Sequence, residues 1–457
     1  MIEEHFDIVV IGAGPGGEVA AGRLAESGLT VAIIEADLVG GECSFWGCMP
    51  SKALLRPAQA LHESMRTAGA REAVSGSVAV AGVLRRRDEL VGHLDDAGQV
   101  PWLEARQVKL WRGRGVIVGK KQVRVGDALL SARRAVIVAT GSSAALLPIP
   151  GLADSQPWTN REATTTATIP DSLVVLGGGV VGSELSQAFQ SLGSAVTLVE
   201  PGPRLLGREE PFAAEQVEAA LARDGVDVRV QTTATSVHRT EAGVTVELSD
   251  DSTVTAEKVL VAAGRRANTV GLGLESVGLN PDGPIATDVH LRAIGAEDWL
   301  YAVGDANGRA LLTHQGKYQG RIAADHILGR FNPSIVYGGA LSPRVVFTEP
   351  QVAAVGHTLA SAHAAGIDAR AADADMNSTA GSAFVGRGEP GTARIVVDEN
   401  RRVLVGATFT GAEVAEQIHA ATIAIVADVA IDRLWHAVPS FPTRSEIWLK
   451  LLEAYGL

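Results

Sequence analysis

Read for apolar and polar positions, the chain gives an early unbroken apolar run, Phe6 to Ile11, that stops at a glycine. A run that short and that apolar predicts a strand buried on both faces. A helix-like segment follows, then a second apolar run, VAIIE, ending at Glu35. The same order returns later: LVVL before Gly177, a helix-like segment, then AVTLVE ending at Glu200. Three more apolar runs stop at small-residue turns: AVIVATGS (135–142), VLVAAGRRAN (259–268) and LYAVGDANG (300–308). The next segment, LLTHQGKYQGRIAADHIL, predicts a helix with Thr313 as its cap. From about Tyr337 the period changes. PRVVFTEPQVAAVG and ARIVVDENRRVLVGATFTG alternate as strands, the second with a hairpin at Asp398-Glu399-Asn400. Two helices are expected after it, Glu413 to Val429 and Arg444 to Tyr455.

The glycines between strand and helix carry the first chemistry. The early turn reads Gly12-x-Gly14-x-x-Gly17 and the later one Gly177-x-Gly179-x-x-Gly182. The first glycine permits a tight turn, the second lets backbone approach a pyrophosphate, and the third lets the helix pack on the strand. The helix N-terminus then faces phosphate with unpaired N–H groups, and the acid at the end of the next strand accepts bonds from a ribose diol. Gly12 to Glu35 and Gly177 to Glu200 span the same length of chain. One such turn is weak evidence; two at equal spacing predict two dinucleotide sites, one for a flavin and one for a nicotinamide. Thr140 and Gly141 in one small-residue turn and Gly264 in another are further cofactor-contacting candidates. Asp305 is placed to bind a polyol. The fold class expected is α/β, with two Rossmann-like dinucleotide-binding domains and a C-terminal α+β domain for substrate or oligomerisation.

Composition narrows the partners. The net charge of -12 argues against nucleic acid, which needs a basic surface. No uncharged apolar run is long enough to span a membrane. Met1 leads almost directly into a strand, so no signal peptide is expected and a cytoplasmic location is.

Both cysteines of the chain, Cys43 and Cys48, sit in GGECSFWGCMPSK with four residues between them. One helical turn could bring two such thiols within disulfide reach, and a helix starting here would favour thiolate. Zinc would need two more ligands that no nearby residue supplies, and no metal is expected. A structural disulfide over so short a loop would add little. A redox-active pair is the reading preferred.

These motifs together resemble the pyridine nucleotide-disulfide oxidoreductases, the group holding dihydrolipoamide dehydrogenase, glutathione reductase and mercuric reductase. GAGPGG, GGxCxxxxCxPSK, ATG, GGGxxGxE, AAGRxxN, AxGD and FTxPxxAxVG all occur in the family's order, over essentially the whole chain. The resemblance implies an FAD domain (1–150 and 271–336), an NAD(P) domain (151–270), an interface domain (337–457) and a homodimer with a shared active site. It implies that Cys48 faces the flavin and Cys43 the substrate. It makes Lys52 and Glu184 an ion pair beside the flavin and Asp305 the ribityl ligand. It also aims the helix at Thr313-His314 toward the flavin pyrimidine.

One departure bears on substrate. The family's thiol-exchanging members end in His-Pro-Thr-x-Ser-Glu, where the histidine is the acid–base partner of the exposed thiol and the glutamate orients it. Here the segment runs Phe441 to Glu446. Phe cannot move a proton. His436 is the substitute base considered. Phe45 and Trp46 are expected to crowd the pair, and the extra cysteines of mercuric reductases are absent. The expected activity is an FAD-dependent NAD(P)H oxidoreductase, with NADH favoured by Glu200 and NADPH possible through Arg204 or Arg208. Its acceptor is expected to be a small oxidant such as a quinone. The alternatives are a disulfide reductase with a substitute base, and an NADH-responsive flavoprotein acting through partner binding.

Overall fold

The computed structural model describes residues 2–241, 243–330, 334–336, 338–385 and 390–457. Met1 and Tyr337, where two expected domain limits fall, lie outside them. The chain forms two compact units, each from three segments. The first takes Met1–Pro50, Arg87–Ala145 and Arg265–Gly339; the second takes Ser51–Arg86, Leu146–Gly264 and Ala340–Leu457.

In the first unit the early apolar run becomes the strand Ile2–Ile11. It pairs in parallel with Val31–Glu35 on one side and Ala128–Val138 on the other. Alternate residues point to opposite faces of a strand: Val9 and Ile11 enter one core cluster, Ile8 and Val10 the other. That is why the sequence shows a continuous apolar run and no alternation. Seven strands make this sheet, the short Leu300–Ala302 strand pairing with Ala128–Val138. The helices Pro15–Ala25 and Thr313–Ile327 pack closely through glycine. A Cβ on Gly320 would lie 2.5 Å from the Gly16 carbonyl oxygen. Arg23 adds a two-pronged bond to Asp325, both arms at 2.7 Å. The N-terminal turns of the two helices are thereby fixed side by side.

The second unit holds a four-stranded parallel sheet, ordered Asp227–Arg229, Ala195–Val199, Ser172–Leu176, Lys258–Val261. It also holds a three-stranded antiparallel sheet and, near the C-terminus, a five-stranded antiparallel one. The expected hairpin joins Thr392–Asp398 to Val403–Gly411. The two closing helices are shorter than expected. The first runs only Ile418–Val426, because Glu413 (φ 53) and Asp428 (φ 46) adopt left-handed backbone that an α-helix cannot continue. The second is Ile447–Tyr455, preceded by a 3₁₀ turn over Arg444–Glu446, and an extra short helix, Ile431–Leu434, stands between the two. Among the described residues no helix is long and apolar enough to cross a membrane.

Candidate active site

The two glycine turns have the same construction. At Gly12 (φ +105) a Cβ would meet the Ala139 carbonyl oxygen at 2.3 Å, and at Gly17 it would meet that of Gly12 at 2.0 Å. In the second unit, Gly177 (φ +112) and Gly182 are blocked in the same way, by Ala262 at 2.7 Å and Gly177 at 1.8 Å. Gly14 and Gly179, which open the two helices, have no atom within 4 Å of a would-be Cβ. Each turn is therefore tight where it meets the end of the neighbouring strand and where it folds on itself, and open where a phosphate would approach. The acids are placed alike too. Glu35 accepts a bond from the Ala13 N–H at 2.7 Å, and Glu200 one from the Gly178 N–H at 2.6 Å. Burial pushes the Glu35 carboxyl above its ordinary value, against the backbone bonds it accepts.

Asp305 lies in the turn Gly304–Asn307, after the Leu300–Ala302 strand. Burial pushes its carboxyl up, partly offset by the Ser142 hydroxyl and by Arg265. Arg265 donates to Ser142 Oγ at 2.7 Å and lies 3.4 Å from Glu42. Sequence reasoning missed this Ser142–Arg265 support, although both residues border motifs it singled out. Asn268 donates to the Thr140 carbonyl at 3.0 Å and to that of Gly141 at 3.0 Å. The Thr140 hydroxyl is buried with no partner among the described residues. A buried orphan hydroxyl, an open helix N-terminus and a buried carboxyl in one unit fit a bound dinucleotide. Gly264 (φ +126) has open space around it.

The cysteines are not on one helix, as the spacing had implied. Cys43 belongs to the short helix Gly41–Phe45, and Cys48 opens the long helix Cys48–Arg66. The chain doubles back at Gly47, where a Cβ would lie 3.1 Å from the Glu42 carbonyl oxygen. That reversal, not helical spacing, brings the thiols into hydrogen-bond contact. Phe45 and Trp46 are buried in a cluster with Val91 and Leu38. Thr313 is not a cap. The cap position is Leu312, and the Thr313 hydroxyl instead stands 3.3 Å from Cys48 Sγ. His314 is exposed beside it. The bond to Cys48 and burial push the Cys43 thiol well above its usual range, while Thr313 and Lys317 pull the other way. Cys48, at the positive end of a long helix, is the better-placed thiolate.

In the second unit Lys52 Nζ donates to Glu184 Oε2 at 2.7 Å and stacks 4.7 Å over the Phe347 ring. Glu184 Oε1 accepts from the Phe347 N–H at 2.9 Å, and Gln59 holds the Phe347 carbonyl at 2.7 Å. The Phe347 contacts were not foreseen. Glu446 lies in the 3₁₀ turn with its Oε2 buried and unpartnered among the described residues. Phe441 is 76% exposed. His436 is exposed just beyond the Ile431–Leu434 helix. Among the described residues no group of His, Cys, Asp or Glu is arranged to hold a metal.

Comparison with known proteins agrees with this construction. The family model "Pyridine nucleotide-disulphide oxidoreductase" matches residues 6–320, and the model of its dimerisation domain matches 342–452. The dihydrolipoyl dehydrogenase of Rhizobium etli is 31% identical, over 99% of this chain and 98% of that protein. That of Thermus scotoductus is 32% identical, over 98% and 97%. The crystal structure of LpdA from Mycobacterium tuberculosis superposes with a TM-score of 0.87 at 28% identity, covering 100% of both chains. The chain belongs to the pyridine nucleotide-disulphide oxidoreductases, NAD(P)H-dependent flavoproteins whose members bind FAD.

Proposed function

We propose that the protein is an FAD-dependent NAD(P)H oxidoreductase with a redox-active Cys43–Cys48 pair, delivering electrons to a small acceptor such as a quinone. Bound flavin would supply the two-electron chemistry. Gly12, Gly14, Gly17, Glu35, Thr140, Gly141, Asp305 and the turn at Thr313-His314 would hold it. Gly177, Gly179, Gly182, Glu200 and Gly264 would hold the nicotinamide nucleotide. The Lys52–Glu184 pair would present a fixed cation next to the reacting ring, and Cys48 would keep its thiolate at the helix N-terminus. The C-terminal segment would pair two copies as a homodimer.

Phe441 carries the choice of acceptor. Where disulfide-exchanging relatives place an imidazole, this chain has a side chain that cannot hold a proton. The buried, unpartnered Glu446 Oε2 supports the same reading, since an orienting carboxylate without its imidazole is left with an idle oxygen. General acid–base help is typically worth 10²–10⁴-fold, so disulfide exchange loses most from the change and quinone reduction least. A disulfide acceptor is the second reading. The paired thiols and the relatives' name favour it, and it requires a proton donor other than residue 441.

The test is an NADH-oxidation screen over quinones, lipoamide, glutathione disulfide, ferric and mercuric salts and oxygen. Quinones should be reduced well and disulfides slowly. Phe441→Ala should leave quinone reduction within a few-fold, and Phe441→His should raise disulfide turnover. Wild-type disulfide turnover above about 10 per second would refute the acceptor assignment.

A further inference from the structure

The Lys52–Glu184 pair takes its members from two helices, Cys48–Arg66 and Val180–Ser191. A third piece of chain, just after the strand Arg344–Val346, touches both of them. That piece is Phe347. Its N–H donates to Glu184 Oε1 at 2.9 Å, and its ring centre lies 4.7 Å from Lys52 Nζ. An ammonium has three N–H bonds to place. Lys52 meets them with Glu184 Oε2 at 2.7 Å, Ser51 Oγ at 3.3 Å and the face of the Phe347 ring.

The ring is itself held. Gln59, two turns past Lys52 on the same face of the helix, donates to the Phe347 carbonyl at 2.7 Å. Gln187 takes both backbone groups of Glu349, accepting from its N–H at 2.7 Å and donating to its carbonyl at 3.0 Å. The Phe347 side chain packs against the core cluster that contains Leu54, Leu55 and Ala188.

We propose that Phe347 is a positioning residue of the pair: its ring fixes the Lys52 ammonium and its N–H fixes the Glu184 carboxylate. The inference rests on the reading that this pair stands beside the reacting ring of the bound flavin.

An aromatic partner has an electrostatic reason. Glu184 is buried and already balances the Lys52 charge. A second carboxylate would hold the ammonium firmly but leave the cluster net negative. Such a cluster would oppose the negative charge that a flavin takes up on reduction. A ring face attracts the cation through its quadrupole and adds no formal charge. Lysine also has a flexible stem, and Lys52 is partly exposed. The ring occupies the side on which the ammonium would otherwise turn to water.

The test reads the flavin's reduction equilibrium in the holoprotein, followed at the flavin absorbance against reference dyes. Phe347→Leu keeps an apolar side chain and the backbone N–H but has no ring face. It should shift the equilibrium against reduced flavin by roughly three- to tenfold, where tenfold is about 30 mV for two electrons. Phe347→Met, also without a ring, should match it, and Phe347→Tyr should behave as wild type. Lys52→Met should shift the equilibrium further. Adding Phe347→Leu to Lys52→Met should change nothing more, because the ring acts through the ammonium. A wild-type equilibrium in Phe347→Leu and Phe347→Met, with Lys52→Met shifted, would overturn the assignment and leave the pair beside the flavin. A Phe347→Leu shift that survives in the Lys52→Met background, or that Phe347→Tyr shares, would overturn it too, as an effect of packing alone. An unshifted Lys52→Met would refute the placement of the pair itself.

Discussion

Glu35 and Glu200 each use one carboxylate oxygen to hold the glycine loop of their own nucleotide turn, and Glu200 uses the other on the Gly202 N–H at 2.6 Å. A carboxylate pinned in that way cannot swing aside for a 2′-phosphate. Arg204 does not offset it: its Nη2 donates to the Gly207 carbonyl at 3.2 Å in its own loop. NADH should therefore be favoured over NADPH by roughly tenfold in kcat/KM, about 1.4 kcal/mol. Glu200→Gln should narrow the gap, and a wild-type preference for NADPH would reverse the assignment. At this scale the chemistry was legible where one residue type has few uses. Paired cysteines, glycines and a strand-ending acid announce themselves. The Glu184 bond to the Phe347 N–H was invisible, because a backbone donor leaves no mark in the sequence.

Among elements, the long helix that begins at Cys48 is fastened at its far end by a tie the sequence did not reveal. His62 Nδ1 stands 2.7 Å from Glu349 Oε2, and Arg66 donates to Glu349 Oε1 at 2.5 Å. Partners this far apart along the chain share no local pattern. The bond to Glu349 holds His62 above its ordinary 6.5. Burial opposes ionisation of Glu349, yet the bonds from His62 and Arg66 win and hold it below its ordinary 4.5. The His62 contribution is thus complete below pH 6.5 and fades as pH rises through the folded value. The Glu349 contribution is present above 4.5 and lost as pH falls through its depressed value. Urea unfolding of wild type against His62→Gln should show a stability difference that shrinks from about pH 6 to 8. A gap that is flat across that range would show that the tie contributes nothing. The glycine turns make a second prediction at this scale. Gly17→Ala forces a Cβ to within 2.0 Å of a backbone oxygen in the first unit, and Gly182→Ala does so at 1.8 Å in the second. The first variant should be purified with little flavin. The second should keep its flavin, reducible by dithionite, but lose reduction by NADH. Helix starts were read less well than strands. Thr313 has a capping side chain but spends it on sulfur, and the break at Gly47 is set by tertiary doubling back that no propensity reports.

For the whole molecule, the C-terminal part matches a dimerisation domain and leaves Val438 85% and Phe441 76% exposed. Large apolar side chains so exposed mark a surface made to be covered. Light scattering at micromolar concentration should give a dimer, and a monomer there would refute the homodimer. The order of strands and turns was legible because each strand, glycine turn, helix and strand-ending acid is local in sequence, Gly12 to Glu35 and Gly177 to Glu200. The grouping of the chain was harder to read, since each compact unit gathers three separate segments.

That interleaving has a consequence for manufacture on the ribosome. The Ala128–Val138 strand meets the Leu300–Ala302 strand along Val136 to Val138. At ~5–20 residues per second, about 8–32 s pass between emergence of the Ala128–Val138 strand and of the Leu300–Ala302 strand. Meanwhile the edge at Val136 to Val138 stays open to wrong partners. The four strands of the second parallel sheet all lie between Ser172 and Val261. The nucleotide sheet begun first is thus the one finished last.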